Sequence, residues 1–456
     1  MMGTTMSEDL HAQDDSASKQ SNHHRRTLVH PPSIELTEQG TADDETSVEE
    51  VRPLVVDGVL THNALGAPGT ASSAAVAINI IISFVGAGLL GIPDAFRRAG
   101  WGLGSVALCL VSALNVYCML LLVQVQKKLF KEGKESVSSY GLVGRCIMGS
   151  RGGAFVDACL VVSQAGFATA YIIFIAANLY SIYGTPRSIV CFGCIPGLAL
   201  LVQAREMKTL APFSLLADLA NLCGLSAVLL QDFKSYVPHN DSIHAIRWEG
   251  LLYVMSITIY SMEGVGLVLS LESSCRDRSK FASLLKSVLA CITLFMAFFG
   301  TAGYMAFGDN TMAPITLNLV GQGWASFVKG ALCLALYLTY PIMMFPIWHI
   351  SEELFTPLHE NVVWNTAFRC ILVVFTATVA YSVPNFGSFL SLVGSSICTI
   401  LGFILPCYFH LAVLRKELPY WQVGLDCLLM VGGVLFGMLG TYQSFVNLVN
   451  GSASIH

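Results

Sequence analysis

Charge is scarce in this sequence. Of 456 residues only 12% are Asp, Glu, Lys or Arg, while 54% are hydrophobic. An ordinary soluble domain carries roughly 25% charged residues. So few charges cannot coat a water-facing surface of this size, which argues against a multidomain soluble protein, a nucleic-acid binder, a coiled coil or a disordered scaffold. Metal ligands are also wanting. The cysteines and histidines form no clustered set of four ligands, and most of the fourteen cysteines sit inside apolar runs, where they read as small hydrophobic residues. The apolar runs lack the two-residue alternation of barrel strands. An all-α polytopic membrane protein is what remains.

The few charges are divided unevenly. Residues 1–70 hold twelve acids against four bases and no sustained apolar run. They are expected to form a disordered acidic cytosolic tail without a cleavable signal peptide. Within it, Glu50-Val51-Arg52-Pro53-Leu54-Val55 loosely resembles an acidic dileucine sorting signal, with Val in the last place. A transmembrane domain is expected over 71–449. Runs of about 20 apolar residues predict eleven transmembrane helices, at 74–97, 101–125, 153–181, 187–204, 209–231, 250–271, 281–306, 324–349, 366–383, 386–413 and 421–447. With the tail in the cytosol, fourteen Lys and Arg fall in cytosolic loops, Lys127 to Arg151 foremost, and five fall opposite: Arg97, Arg98, Arg187, Lys234 and Arg247. That asymmetry predicts a cytosolic N-terminus and a lumenal C-terminus. The sequons at Asn240 and Asn450 both fall on the lumenal side, and Asn240 is the glycosylation candidate.

Two of the predicted spans cannot be regular helices. The first reads Gly86-Ala87-Gly88-Leu89-Leu90-Gly91-Ile92-Pro93, and the sixth Tyr260-Ser261-Met262-Glu263-Gly264-Val265-Gly266. Glycine and proline weaken a helix, and backbone groups freed in lipid must be satisfied by protein or by a wet cavity. A carboxylate at mid-membrane, as at Glu263, costs about 2.5–3.5 kcal/mol on insertion scales unless it pairs, faces water or takes a proton. The interrupted spans are five apart, an odd number, so they run in opposite directions. Broken helices at corresponding places in two inverted halves point to a secondary-transporter site. One break would offer amides to a carboxylate and the other carbonyls to an ammonium, which suits a zwitterion. The same glycines match GxGxxG, but no strand precedes them, Pro93 interrupts at once, and Asn115 and Tyr117 stand where an acid is needed.

Four motifs in order resemble the amino acid/auxin permease superfamily: Gly86–Trp101, Glu263–Glu272, Gly303–Asp309 and Phe389–Pro406. The resemblance runs from about residue 72 to 447. It is strongest to the vacuolar amino-acid exporter branch of plants and fungi, which Ser163–Phe167 and Leu210–Pro212 also resemble, and next to the proton-assisted amino acid transporters. It implies a LeuT-like 5+5 inverted repeat plus one extra helix. It implies that Gly86, Ala87, Gly88 and Leu89 meet the substrate carboxylate, and that Ser261, Met262 and Gly264 flank its ammonium.

Two departures stand out. Asn79 occupies the place of a histidine found in proton-assisted relatives, and Asp94 replaces a bulky apolar residue and is expected to cap the second half of the broken helix. Glu263 is the candidate coupling residue. Gln164 is a candidate substrate contact, while Gly91, Pro93, Gly266 and Asp218 are expected to be structural near the site, Asp218 by a bond to the unwound backbone. His349 and His410 are expected at the interface, and Gly433, Gly437 and Gly440 at a close helix contact.

The expectation is therefore a secondary active transporter of small neutral amino acids, coupled to protons, moving them across a vacuolar, lysosomal or related endomembrane toward the cytosol. Its partners would be a neutral amino acid, a proton and the lipid bilayer, with no cofactor, metal or nucleic acid. A sensor of the same fold, signalling through the tail, is the alternative. An intramembrane aspartyl protease is disfavoured, because Ala306-Phe307-Gly308-Asp309 lacks the first glycine of GxGD.

Overall fold

A computed structural model describes residues 69–134, 137–204, 207–235, 243–321, 323–355, 361–383 and 385–453. The dileucine-like stretch and Asn240 lie outside them, as does the tail apart from its last two residues. The chain is helical: α1 (Ser73–Phe84), α2 (Ile92–Ala99), α3 (Trp101–Lys131), α4 (Tyr140–Tyr183), α5 (Arg187–Gly193), α6 (Ile195–Leu201), α7 (Met207–Ser235) and α8 (Leu251–Ser261). There follow α9 (Val265–Ser274), α10 (Phe281–Phe307), α11 (Trp324–Leu354), α12 (Val362–Ser382), α13 (Phe386–Val393), α14 (Leu405–Leu414) and α15 (Tyr420–Ala453). Local chemistry sets several starts. Ser72 and Ser139 accept from the amides of Ala75 and Leu142 at 3.3 Å each, and Asn361 and Asn385 accept from Val363 and Ser388 at 2.9 Å each.

Among the described residues nine helical stretches are long and apolar enough to cross a membrane, and α1 with Ala87–Ala99, bent by 43° at the break, makes a tenth. The expected fourth span, 187–204, differs. It is two 7-residue helices, α5 and α6, that meet at Cys194 with a proline in the first turn of α6. Each rises roughly 10 Å, so together they fall short of the ~30 Å hydrocarbon core. They nonetheless turn the chain round beside α12. Arg187 donates to the carbonyls of Ala380 and Val383 at one end of that helix. Arg369, toward its other end, donates to the carbonyl of Val202 at 2.7 Å.

The packing follows a rule. Count α1/α2 as the first position, α3 as the second, and so on, with α5/α6 fourth, α8/α9 sixth and the α13–α14 stretch tenth. Exchanging each position with the one five further on maps the contacts onto one another: α3 with α8 corresponds to α10 with α1 and α2, α11 with α6 to α4 with α12, α10 with α7 to α3 with α14, and α11 with α7 to α4 with α13. The pairs α3–α10, α4–α11 and α5–α12 map onto themselves. Two five-element halves are thus packed alike, as an inverted repeat requires, and α15 lies outside the exchange. Among the described residues the exchange is incomplete at three seams: α4 packs on α5 and α2 on α3 without seams of comparable extent between α11 and α12 or between α9 and α10, and α8 packs on α13 while α1 has no seam of comparable extent with α7.

α15 is the extra helix. Leu428, Leu435, Met438, Leu439 and Phe445 are exposed, as suits a lipid-facing wall. Its inner face carries the expected glycines: a Cβ on Gly433 would come within 3.1 Å of Ile404 and one on Gly440 within 2.8 Å of Ser395. The tenth position contains a feature the sequence did not suggest. Gly394–Cys398 and Ile400–Ile404 are wound as π-helix, the wide turn often found at functional sites. The carbonyls this loosens are taken up by side chains, with Thr399 donating to Gly394 at 2.8 Å and buried Tyr140 to Leu401 at 2.8 Å.

The end of the bundle where α1 begins is here called the near end. There, Ala71 pairs with the residues after α9, its amide donating to the Ser274 carbonyl at 3.1 Å and its carbonyl accepting from Arg276 at 2.9 Å. In the loop that follows, donation from Ser279 and then Lys280 holds the exposed Asp277 carboxyl down at about 2.

A Cβ on Gly394 would lie 2.0 Å from the Ser256 carbonyl, whereas one on Gly330 would meet open space. Gly394→Ala is expected to cost about 1–3 kcal/mol by overpacking, and Gly330→Ala to be neutral or mildly stabilising. Thermal denaturation in detergent, followed by the monodisperse fraction, checks both.

Candidate functional site

The two expected breaks are present and face each other. α1 ends at Phe84, and the chain resumes as a 3₁₀ turn, Ala87–Gly91, before α2. α8 ends at Ser261 and α9 begins at Val265. Glycine sets their spacing: a Cβ on Gly88 would lie 2.9 Å from the Ser261 Cα, and one on Gly264 2.2 Å from the Phe84 ring. Only residues without side chains allow the two strands this approach.

Backbone groups are left over on both sides. In the first break the Leu89 amide donates to the Gly86 carbonyl at 3.2 Å. The amides of Ala87 and Gly88, at the start of the turn, have no place in a helical ladder. In the second, Met262 and Glu263 amides return to the carbonyls of Thr258 and Tyr260 at 2.9 and 3.4 Å. The Met262 carbonyl accepts from Asn115 Nδ2, buried on α3, at 2.7 Å. The Ser261 carbonyl is among those a helix C-terminus leaves without a partner.

A cavity of about 200 Å³ opens on these groups, smaller than the ~300–1,000 Å³ of drug-sized sites, which suits a ligand of few atoms. Gly86, Ala87, Gly88, Gln164, Ser261, Glu263, Gly264 and Gly266 line it, as does Asp218. Leu89 and Met262, expected to touch the substrate, stand outside it. Leu89 is 0% exposed with its amide turned back on Gly86, and the Met262 carbonyl is already occupied by Asn115. Gly91 and Pro93 are packing residues, with Leu390 3.2 Å from a Cβ on Gly91 and Pro93 filling the space beside Gly303. Asp218 does not bond to the unwound backbone as expected; its hydrogen bond comes from Ser214 at 3.5 Å.

The electrostatics are one-sided. Among the described residues the walls hold two carboxylates, Asp218 and Glu263, and no Lys, Arg or His. A substrate carboxylate is met here, among the described residues, by amides and hydroxyls. Glu263 is half-buried, and the Val265 amide at the start of α9 is directed at its carboxylate. Its Oε2 is fully buried without a partner and points toward the π-helical segment, 3.6 Å from where a Gly402 Cβ would be.

The cavity is sealed on one side. Asp94, 1% exposed, accepts from Arg97 at 2.6 and 2.9 Å and from Tyr253 of α8 at 2.7 Å, and lies 3.4 Å from Arg98. It does not cap α2 as expected; it ties α2 to α8. A Cβ on Gly387 of α13 would lie 3.2 Å from its Oδ2, so the far side closes around one ion cluster. On the near side the walls are Ile82 to Val85, Ser214, Asn221, Met343 and Pro346, and there, among the described residues, α1 and α7 share no seam comparable to that of α8 with α13.

Several lining residues gave little sign in the sequence. Tyr171 and Tyr260, with Phe167 packed edge-on to Tyr260 at 4.9 Å, form the aromatic wall. Asn115, whose amide shapes the second break, gave a signal, being a carboxamide midway along an apolar span. Tyr337 and Tyr340 are not in the cavity; they bond to Cys194 and Thr376. His410, expected at the interface, is 1% exposed and bonded to Asp426. Replacing Asn115 by Leu frees the buried Met262 carbonyl at about 1–3 kcal/mol, so substrate affinity measured by scintillation proximity should fall by roughly tenfold or more. An unchanged affinity would mean that Asn115 does not shape the break.

The family model described as transmembrane amino acid transporter protein matches residues 69–446. The amino acid transporter AVT3B of Arabidopsis thaliana is 37% identical over 391 residues, covering 81% of this chain and 92% of that protein. Vacuolar amino acid transporter 4 of Saccharomyces cerevisiae is 26% identical over 428 residues, covering 83% of this chain and 58% of its own. Among solved structures, Mhp1, a nucleobase-cation-symport-1 family transporter, aligns over 86% of this chain at 12% identity with a TM-score of 0.48. The chain belongs to the transmembrane amino acid transporter family, and is a multi-pass membrane transporter, not an enzyme.

Proposed function

We propose that the protein exports small neutral amino acids from a vacuolar or related lumen to the cytosol, coupled to protons. The observation that carries this reading is the meeting of bare amides at Ala87 and Gly88 with the carbonyl end of α8, in a small cavity whose charged side chains, among the described residues, are the acids Asp218 and Glu263. A zwitterion fits end to end. A second negative charge on the substrate would face Asp218 and Glu263, which disfavours acidic amino acids. The Lys and Arg asymmetry assigns the near end to the cytosol, so the missing α1–α7 seam would be the cytosolic opening and the Asp94 cluster the closed lumenal side. Vacuolar placement draws on the yeast relative's name.

Glu263 is the coupling group in this reading. Its buried Oε2 lacks a partner, so a proton there removes an uncompensated charge. Transport would proceed by rocking the helices that carry the breaks against the rest. Counterflow in proteoliposomes with a panel of amino acids at two pH gradients tests it. Wild type should move neutral amino acids faster with an acidic lumen, and Glu263→Gln should keep exchange but lose that acceleration. Full pH-driven flux in Glu263→Gln would remove the coupling assignment, and transport restricted to acidic or basic amino acids would remove the neutral one.

A further inference from the structure

A second group of buried ionisable side chains lies away from the cavity, where α15 crosses α3 and α14. His410 Nδ1 is 2.6 Å from Asp426 Oδ2, and Tyr117 donates to Asp426 Oδ1 at 2.7 Å. His410 is 1% and Asp426 0% exposed. The other titratable groups that face them are Cys118 of α3 and Cys407 of α14, whose sulfurs are 3.9 Å apart, with Tyr140 of α4 beyond. Among the described residues, His410 is the one basic group that forms an ion pair with Asp426. The neighbouring lysines are taken, Lys128 by Glu417 and Glu132 and Lys127 by Glu272.

The group's charge depends on a single proton. With His410 neutral and donating through Nδ1, Asp426 is a buried anion with two donors and no counter-charge. With His410 protonated the pair is balanced, but a buried ion pair is tolerated only when its remaining hydrogen-bonding groups are met. His410 Nε2 is buried and has no partner, so it is a bare lone pair in the first state and an unaccepted N–H in the second. Neither state satisfies every atom, which distinguishes this group from an inert staple.

We propose that His410, Asp426 and Tyr117 form a second proton-binding site, which takes up one proton and then clamps α15 and α14 against α3. The site has a path to the cavity. Gly402, beside Glu263 Oε2, is eight residues before His410 on the same stretch, roughly 12 Å away along a helix. The Leu401 carbonyl, one residue before Gly402, is held by Tyr140. A proton bound at the seam would thus bear on the π-helical turn that flanks the coupling group. The inference concerns this seam alone and does not require the assignment of Glu263.

Nitrogen-15 NMR of histidine-labelled full-length protein in lipid tests it directly, with His410→Gln assigning the signal. Over about pH 5 to 8 the His410 resonance should pass between neutral and imidazolium forms, and Asp426→Asn should hold less imidazolium at each pH. A single protonation state across that range, or an unaltered titration in Asp426→Asn, overturns the proposal. The double variant His410→Gln/Asp426→Asn keeps a neutral hydrogen-bonded pair where a single change would strand a partner. It should fold and transport with a flattened pH dependence, whereas a wild-type pH profile would overturn the link to transport.

Discussion

A peptide group inside a bilayer has no water to bond to, so every amide and carbonyl that leaves a helix must find a partner in protein or ligand. That requirement organises this molecule. The chain is unwound at Val85–Gly86 and at Met262–Gly264, and its neighbours are arranged to serve those points. Asn115 takes the Met262 carbonyl, Val265 is directed at Glu263, and the glycines at 88 and 264 let the two breaks approach. What remains unserved faces the cavity. A pocket whose charged side chains, among the described residues, are acids can still hold a carboxylate, because the half-helix N-terminus supplies the positive end.

The same economy explains how the site opens. Along most seams each half is packed like the other under a five-position exchange, so in full symmetry α1 would lie on α7 as α8 lies on α13. Loss of one seam while its mate persists makes an opening at one end and a seal at the other. Asp94 reinforces the seal: one buried carboxylate gathers two arginines and a tyrosine from α2 and α8. An isolated surface pair would add little, but a buried carboxylate deprived of its donors is costly, so the seal should open as a unit.

The sequence was most legible where lipid leaves least choice. Span positions followed from apolar length, and both breaks from glycine and proline inside apolar runs, because few other structures accommodate such residues at that depth. Residues fixed by local backbone geometry, such as Gly86 and Gly264, line the cavity. Contacts between distant positions were not legible. Nothing near Asn115 announces Met262, 147 residues on, and nothing near Tyr117 announces Asp426, 309 residues on. Asp94 follows the same pattern: local rules predict a cap, whereas it bonds to Arg97 and, 159 residues away, to Tyr253. The short pair α5 and α6 was read as a full span because composition does not reveal where a helix is interrupted.

The central claim is that the substrate's two charged ends are held by main-chain groups of the paired breaks. Cryo-electron microscopy of the protein with a bound neutral amino acid tests it most directly. The account predicts the carboxylate within hydrogen-bond distance of the Ala87 and Gly88 amides and the ammonium near the Ser261 carbonyl. A substrate seated elsewhere, or a carboxylate held by an arginine or lysine side chain, would contradict it.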